Sequence, residues 1–215
     1  MPVGDRGRQQ RSIATREALV LAAGRVFARM TYAEARLKDI SEDAQVSPGS
    51  MYFHFGNKKD FALAVLDHEQ ERMKQVLTEV TGSDDRGLDK LLRLGGGLGE
   101  LISSDVVVQG GIKLSSQPGT DFGSHSSAPY FQWIEITRTI IDAGIRDGSI
   151  NPEIDSQVYA VIFNEMFVGA QVIAELADSW QSLPARIQDL KPVLEKLLSS
   201  PRTGSASSIP GRSAT

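Results

Sequence analysis

Residues 37–60 read LKDISEDAQVSPGSMYFHFGNKKD, and the punctuation of this run decides the fold. Leu37 and Ile40 lie three apart and Ala44 four further on, which draws one apolar stripe along a short helix. Gln45 and Val46 make a tight link. Ser47-Pro48-Gly49 then opens a second short helix, with Ser47 as N-cap and Pro48 at the first helical position, where its missing N–H costs nothing. Two short helices joined by a turn of a few residues describe a helix-turn-helix.

The second helix is not patterned for packing alone. Gly49 and Ser50 present almost no side chain at its N-terminal end, so its backbone can come very close to a partner. Tyr52, Phe53, His54 and Phe55 follow, and a twist of about 100° per residue cannot bury all four. Phe53 and Phe55 are expected to turn inward, Tyr52 and His54 outward. Gly56 then ends this helix and Asn57 caps the next, which places Lys58 and Lys59 on a first turn. Cations there oppose the helix dipole but suit a neighbouring phosphate, which the free N–H groups also attract. A capped turn with two solvated lysines is the plainer reading of NKKD by itself; its position directly after the second helix favours the phosphate.

VSPGSMYFHFGNKKDF, residues 46–61, resembles the signature of the TetR family of bacterial transcriptional repressors, with Val46, Ser47, Gly49, Tyr52, His54, Phe55, Lys58 and Phe61 at the matching positions. The resemblance covers about the first 65 residues. It implies that Ser47, Pro48, Gly49 and Ser50 contact bases, and that Tyr52, His54 and Lys58 hold phosphates. The family usually has a threonine that caps the first helix of the motif and touches phosphate. This chain has Arg36 there, so either Arg36 reaches the phosphate itself or that helix is less well capped.

The whole chain of 215 residues, 40% hydrophobic and 23% charged, suits one large or two small globular domains. No stretch has the roughly 18 continuous apolar residues needed to span a bilayer, and the N-terminus lacks an export pattern. A cytoplasmic protein with no membrane partner is expected. Zero cysteines exclude disulfides and thiolate metal sites. Three scattered histidines, His54, His68 and His125, argue against a metal, and no cofactor is expected. Net charge is −4, yet residues 1–60 hold 10 Lys and Arg against 7 Asp and Glu, leaving 13 against 20 for the rest. A basic segment on an acidic body suits contact with nucleic acid at one end only.

Outward from the motif, residues 1–11 carry Gly, Pro and three arginines without apolar periodicity. They read as a disordered basic arm, either a DNA contact or a frayed terminus. From Ser12 to Met30, Ile13, Leu19, Val20, Ala23, Val26 and Phe27 follow helical spacing and would cover the motif, giving a head whose core includes Phe27, Ile40, Val46 and Phe53. Asp60 to Val80 reads as a long helix between head and body, and on it Glu69 or Gln70 either reaches a ligand pocket or lies on a solvated face.

Further on, Leu88 to Ile102 is leucine-rich around Gly95-Gly96-Gly97, which fits close helix packing or a kink beside a cavity better than a phosphate loop, since no Lys-Ser/Thr follows. Val106 to Ser116 predicts a helix with a break near Gly110-Gly111, and residues 115–128 a polar loop able to gate a site. Helices are predicted over Pro129 to Arg146, Asp155 to Leu176 and Leu183 to Leu198, and residues 199–215 read as a disordered tail. These late helices are apolar over more surface than one body can hide, which predicts a homodimer. The fold expected is all-α: a helix-turn-helix domain over 12–59 joined to a helical ligand-binding and dimerisation domain over 60–198.

The function that follows is a repressor binding a double-stranded, pseudo-palindromic operator and released by a small-molecule effector, not an enzyme: no nucleophile motif or supported carboxylate pair is visible. Tyr130 to Trp133 and VGAQVI at 168–173 resemble the γ-butyrolactone-receptor branch of the family. That resemblance implies a butyrolactone, butenolide or furan effector, control of secondary-metabolite genes, and a pocket lined by Trp133. Tyr130, Gln132, Thr137, Phe163, Met166, Phe167 and Glu69 are the further candidates, with Met166 standing where some relatives carry a hydroxyl. Two alternatives remain: a regulator of efflux or catabolic genes with an unrelated apolar ligand, and a helical interaction protein that binds no DNA.

Overall fold

The structure, a computed structural model, describes residues 3–117, 122 and 128–199, without the side chains of 3–6 and 128–130. The described residues form helices and no strand: α1 (Val3–Arg29), α2 (Leu37–Asp43), α3 (Pro48–His54), α4 (Lys58–Thr81), α5 (Gly87–Ser104), α6 (Val106–Ser116), α7 (Ala128–Asp147), α8 (Ser156–Asp178) and α9 (Leu183–Leu198).

α1 begins at Val3, so over residues 3–11 the irregular arm expected is corrected to helix, while residues 1–2 lie outside the described residues. Residues 7–10 are exposed there, and an exposed turn of Arg and Gln leaves no apolar period to read although both are good helix formers. Ile13, expected on the buried stripe, is 52% exposed. Farther along, Leu19, Ala22, Ala23, Val26 and Phe27 are buried and meet Ile40, Met51, Phe55, Phe61 and Leu66 in the core of the head. An ion-pair cluster fastens α1 to α2: Arg25 Nε donates to Asp43 Oδ1 at 2.6 Å and Arg29 to Oδ2 at 3.1 Å. Burial pushes the Asp43 carboxyl up, but the hydrogen bonds from these two arginines more than offset it and hold it below its usual range.

The head core does not stop at the head. Val107 and Leu114 of α6, and Phe122 beyond it, belong to the same buried cluster. α6 runs unbroken through Gly110-Gly111, against the expected break, because those glycines serve helix contact: a Cβ at Gly110 would lie 2.6 Å from the carbonyl oxygen of Gly24 on α1. Asp105 caps α6 by accepting from Val107 and Val108 N–H, and it faces Arg72 (3.3 Å) and His68 (3.7 Å) of α4. The His68 hydrogen bond, with the two backbone N–H groups, outweighs desolvation and draws Asp105 down to about 2.

A second cluster joins α5, α7, α8 and α9 with the end of α4, and a third lies where α5, α6 and α9 meet Trp180. α5 is continuous through Gly95-Gly96-Gly97, and a Cβ at Gly97 would lie 2.8 Å from Val76 of α4, so close packing accounts for that cluster. α8 is long and apolar enough to cross a membrane by length and composition alone. Here it packs between α7 and α9, and Asn164 on it donates to Thr137 of α7 at 3.0 Å. Its exposed residues Val158, Val172, Ile173 and Leu176 fall on one face, and Val193 and Leu197 of α9 are exposed as well. The tail from 200 onward and most of the 115–128 loop, with His125, lie outside the described residues.

Candidate nucleic-acid interface and effector cavity

Ser47 caps α3 as the sequence predicts, its Oγ accepting the Ser50 N–H at 3.3 Å, with Pro48 in the first turn. The turn before it needs a left-handed residue, and Gln45 takes φ 55°. Ser47, Pro48 and Gly49 are exposed, Ser50 is half-buried, and nothing lies within 4 Å of the place a Gly49 Cβ would occupy. The N-terminal end of α3 is therefore a bare, polar tip free to enter a groove.

The aromatic residues behind it are sorted differently from the expectation. Phe55 is buried and stacks on Phe61 at 4.1 Å, but Phe53 is 80% exposed beside Tyr52 at 56%. The residue four before Phe55, Met51, takes the core place expected of Phe53. Positions 51 and 55 share a face under helical twist, and 53 lies across from them. Phe53 packs edge-on to the half-buried His54 and adds an apolar contact to the exposed face, one the sequence reading missed. Val46 packs against the core half-buried.

Asn57 and Asp60 cap α4 reciprocally: Asp60 N–H donates to Asn57 Oδ1 at 3.1 Å, and Asp60 Oδ2 accepts from Gly56 and Asn57. The two lysines part company. Lys58 turns back, donating to the carbonyls of Tyr32 (2.7 Å), Ala35 (3.0 Å) and Ala33 (3.4 Å), over the Tyr32 ring. Its three N–H donors are all engaged, so it clamps the α1–α2 link where a phosphate contact was expected, and Lys59 is the exposed one. Arg36 stands exposed at the N-cap of α2 with no side-chain cap; the Asp39 carboxylate accepts the Arg36 N–H at 2.8 Å instead.

In the body a cavity of about 340 Å³ opens between α4, α5, α6, α7 and α8. Glu69, Gln132, Trp133, Thr137, Phe163 and Phe167 all line it. Met166 does not; it lines a second recess of about 30 Å³ against α9, and Phe163 and Phe167, which line both, stand between it and the cavity. The Tyr130 side chain lies outside the described residues. Lys74, Ser115, Asn164 and Gln171 also line the cavity and were missed. Asn164, Phe167, Val168 and Gln171 follow three-to-four spacing along α8, which is the signal that could have found two of them. Asn164 donates to Thr137 and to the Ala160 carbonyl (2.8 Å), so both its N–H groups are used within the wall. The size and mixed lining suit a small organic molecule with a few polar anchors.

A bare-tipped helix-turn-helix at one end of the chain and a cavity in a helical body define a two-domain, all-helical architecture. The model of bacterial regulatory proteins of the tetR family matches residues 19–65, and that of the tetracyclin repressor-like C-terminal domain matches residues 86–199. The chain belongs to the TetR family. It is 31% identical over 172 residues to the A-factor receptor protein of Streptomyces griseus, a match covering 80% of this chain and 59% of that protein. The chain thus spans less than two thirds of that relative's length. A crystal structure of a γ-butyrolactone receptor (ArpA-like protein) superposes with a TM-score of 0.68 at 26% identity, covering 87% of this chain and 99% of that one. CprB of Streptomyces coelicolor, in complex with its biological operator sequence, has the same fold with a TM-score of 0.71 at 24% identity, covering 88% and 91%.

Proposed function

We propose that the chain is a cytoplasmic, homodimeric repressor that binds a pseudo-palindromic operator and is released by a small signalling molecule of γ-butyrolactone, butenolide or furan type. One observation carries this reading: α4 starts beside α3 at Lys58 and forms the cavity wall from Glu69 to Leu77, so one rigid element belongs to both sites. α6 repeats the arrangement. Ile112 and Ser115 line the cavity, and just past the helix Gln117 Oε1 accepts the Tyr32 N–H of the head at 2.7 Å. An effector that fits one spacing of α4 and α6 better than another shifts the heads by no more than its differential affinity for the two states. Ser47, Pro48, Gly49 and Ser50 enter the major groove, Tyr52, Phe53 and His54 flank them, and Arg36 and Lys59 lie along the backbone. Two such tips on a two-fold dimer read half-sites about 34–36 Å apart. The relationship to the A-factor receptor and the likeness to a γ-butyrolactone receptor support the ligand class, and control of secondary-metabolite genes is proposed with it.

A gel-shift titration against salt tests the DNA half: sequence-selective retardation with a steep salt slope is expected, and its absence overturns the repressor. For the ligand half, Trp133→Ala is expected to keep operator affinity within about twofold and to lose release by the effector. Loss of folding in that variant, read by circular dichroism, would make Trp133 a packing residue only.

A further inference from the structure

Glu69 is the one carboxyl in the cavity wall, and no hydrogen bond or ion pair reaches it among the described residues. It is pressed against α6 where that helix carries no side chain: a Cβ at Gly111 would lie 2.5 Å from Glu69 Oε2. The charged groups around it are engaged elsewhere or stand apart. His68 and Arg72 on its own helix turn to Asp105, and Lys113 of α6 pairs with Glu175 at 3.6 Å. α1 meets α6 through Gly24, and α5, α7 and α8 contribute only amide, hydroxyl and apolar groups to the wall. Lys74 lines the cavity too, but forms no ion pair with Glu69.

We propose that Glu69 meets the effector as an uncharged carboxylic acid, donating its O–H to a carbonyl oxygen, so that the cavity takes neutral lactone-type carbonyl compounds and refuses ammonium compounds. The proposal rests on the small-molecule reading of the cavity. A carboxylate pressed into a largely apolar wall with neither cation nor donor is costly, whereas the neutral acid needs only an acceptor. Among the described residues no acceptor is hydrogen-bonded to it, and a ligand carbonyl supplies one. Burial alone pushes the group up, to about 8, so about nine in ten side chains hold the proton at pH 7. An ammonium ligand would instead need the charged form and would enter beside Lys74.

The test measures quenching of tryptophan fluorescence by γ-decalactone, and separately by n-nonylamine, at pH 6.5 and pH 9.0, with Trp133 as the reporter in the wall. Lactone affinity of the wild type is expected to fall about tenfold at the higher pH, as the proton-bearing fraction falls. Glu69→Gln keeps an N–H donor and cannot ionise, so its two affinities are expected to agree within about twofold. A circular dichroism melt at each pH checks that both proteins are folded. A flat wild-type ratio, the same pH loss in Glu69→Gln, or tighter binding of the amine than of the lactone at pH 6.5 each overturns the assignment. Lactone binding that is equal at both pH values removes only the role of Glu69; no lactone binding at either pH removes the small-molecule reading of the cavity with it.

Discussion

Lys58 and Lys59 are neighbours in sequence with opposite surroundings. Lys58→Ala strips three carbonyls of their donor on the link between α1 and α2 and is expected to lower stability by roughly 1–3 kcal/mol, read as a fall in urea midpoint. Lys59→Ala is expected to leave that midpoint unchanged and to reduce the salt slope of operator binding by about one. Glu69 gives a second residue-level prediction. Its folded-state pKa is raised from 4.5 to about 8, so stability is complete below the unfolded value and is lost as pH rises through the folded one. Glu69→Gln is therefore expected to melt above the wild type at pH 9, by roughly 3–5 kcal/mol in stability, with the two curves converging only below about pH 4. The identity of these residues was plain from the sequence; the direction in which each side chain turns was not. Phe53 shows why: rotating a seven-residue helix by one position exchanges a core residue for an exposed one, and MYFHF offers apolar side chains on every side.

Elements were legible wherever a cap or a break announces them. Ser47-Pro48 and Asn57 sit at helix starts as the sequence predicts, and α7, predicted to end at Arg146, ends at Asp147, with Gly148 just past it at φ 73°. The glycines of α6 were legible as irregular but not as contact points, because what they touch, Gly24 on α1 and Glu69 on α4, is distant in the chain. Gly110→Ala would drive a methyl into the Gly24 carbonyl at 2.6 Å, and overpacking of this kind costs about 1–3 kcal/mol. Since α1 carries the head and α6 lines the cavity, the same substitution is expected to weaken effector release as well as stability, measured by gel shift with and without effector. A variant as stable and as responsive as the wild type would show that the crossing carries neither.

At the scale of the molecule, α8 and α9 leave apolar side chains uncovered among the described residues. Leu176, at 82% exposure, and Ile173, at 54%, are two of them. Leu176→Asp combined with Ile173→Asp is expected to shift the protein from dimer to monomer in sedimentation velocity. Operator affinity should fall more than about tenfold, because two half-sites are then no longer read together. A monomeric wild type, or full operator affinity in the double variant, would sink the dimer.

The sequence by itself determined the order and kind of the elements, the bare tip of α3 with its Ser47 cap, and membership in a class of helix-turn-helix proteins, because capping and periodicity act over a few residues. Tertiary structure alone decided that Phe53 faces outward, that Lys58 is bound to the α1–α2 link, and that Glu69, Asn164 and Gln171 share one cavity. Those outcomes depend on how helices from distant parts of the chain lie against one another, and a side chain's burial, and with it its charge, is a property of that packing rather than of its neighbours in sequence.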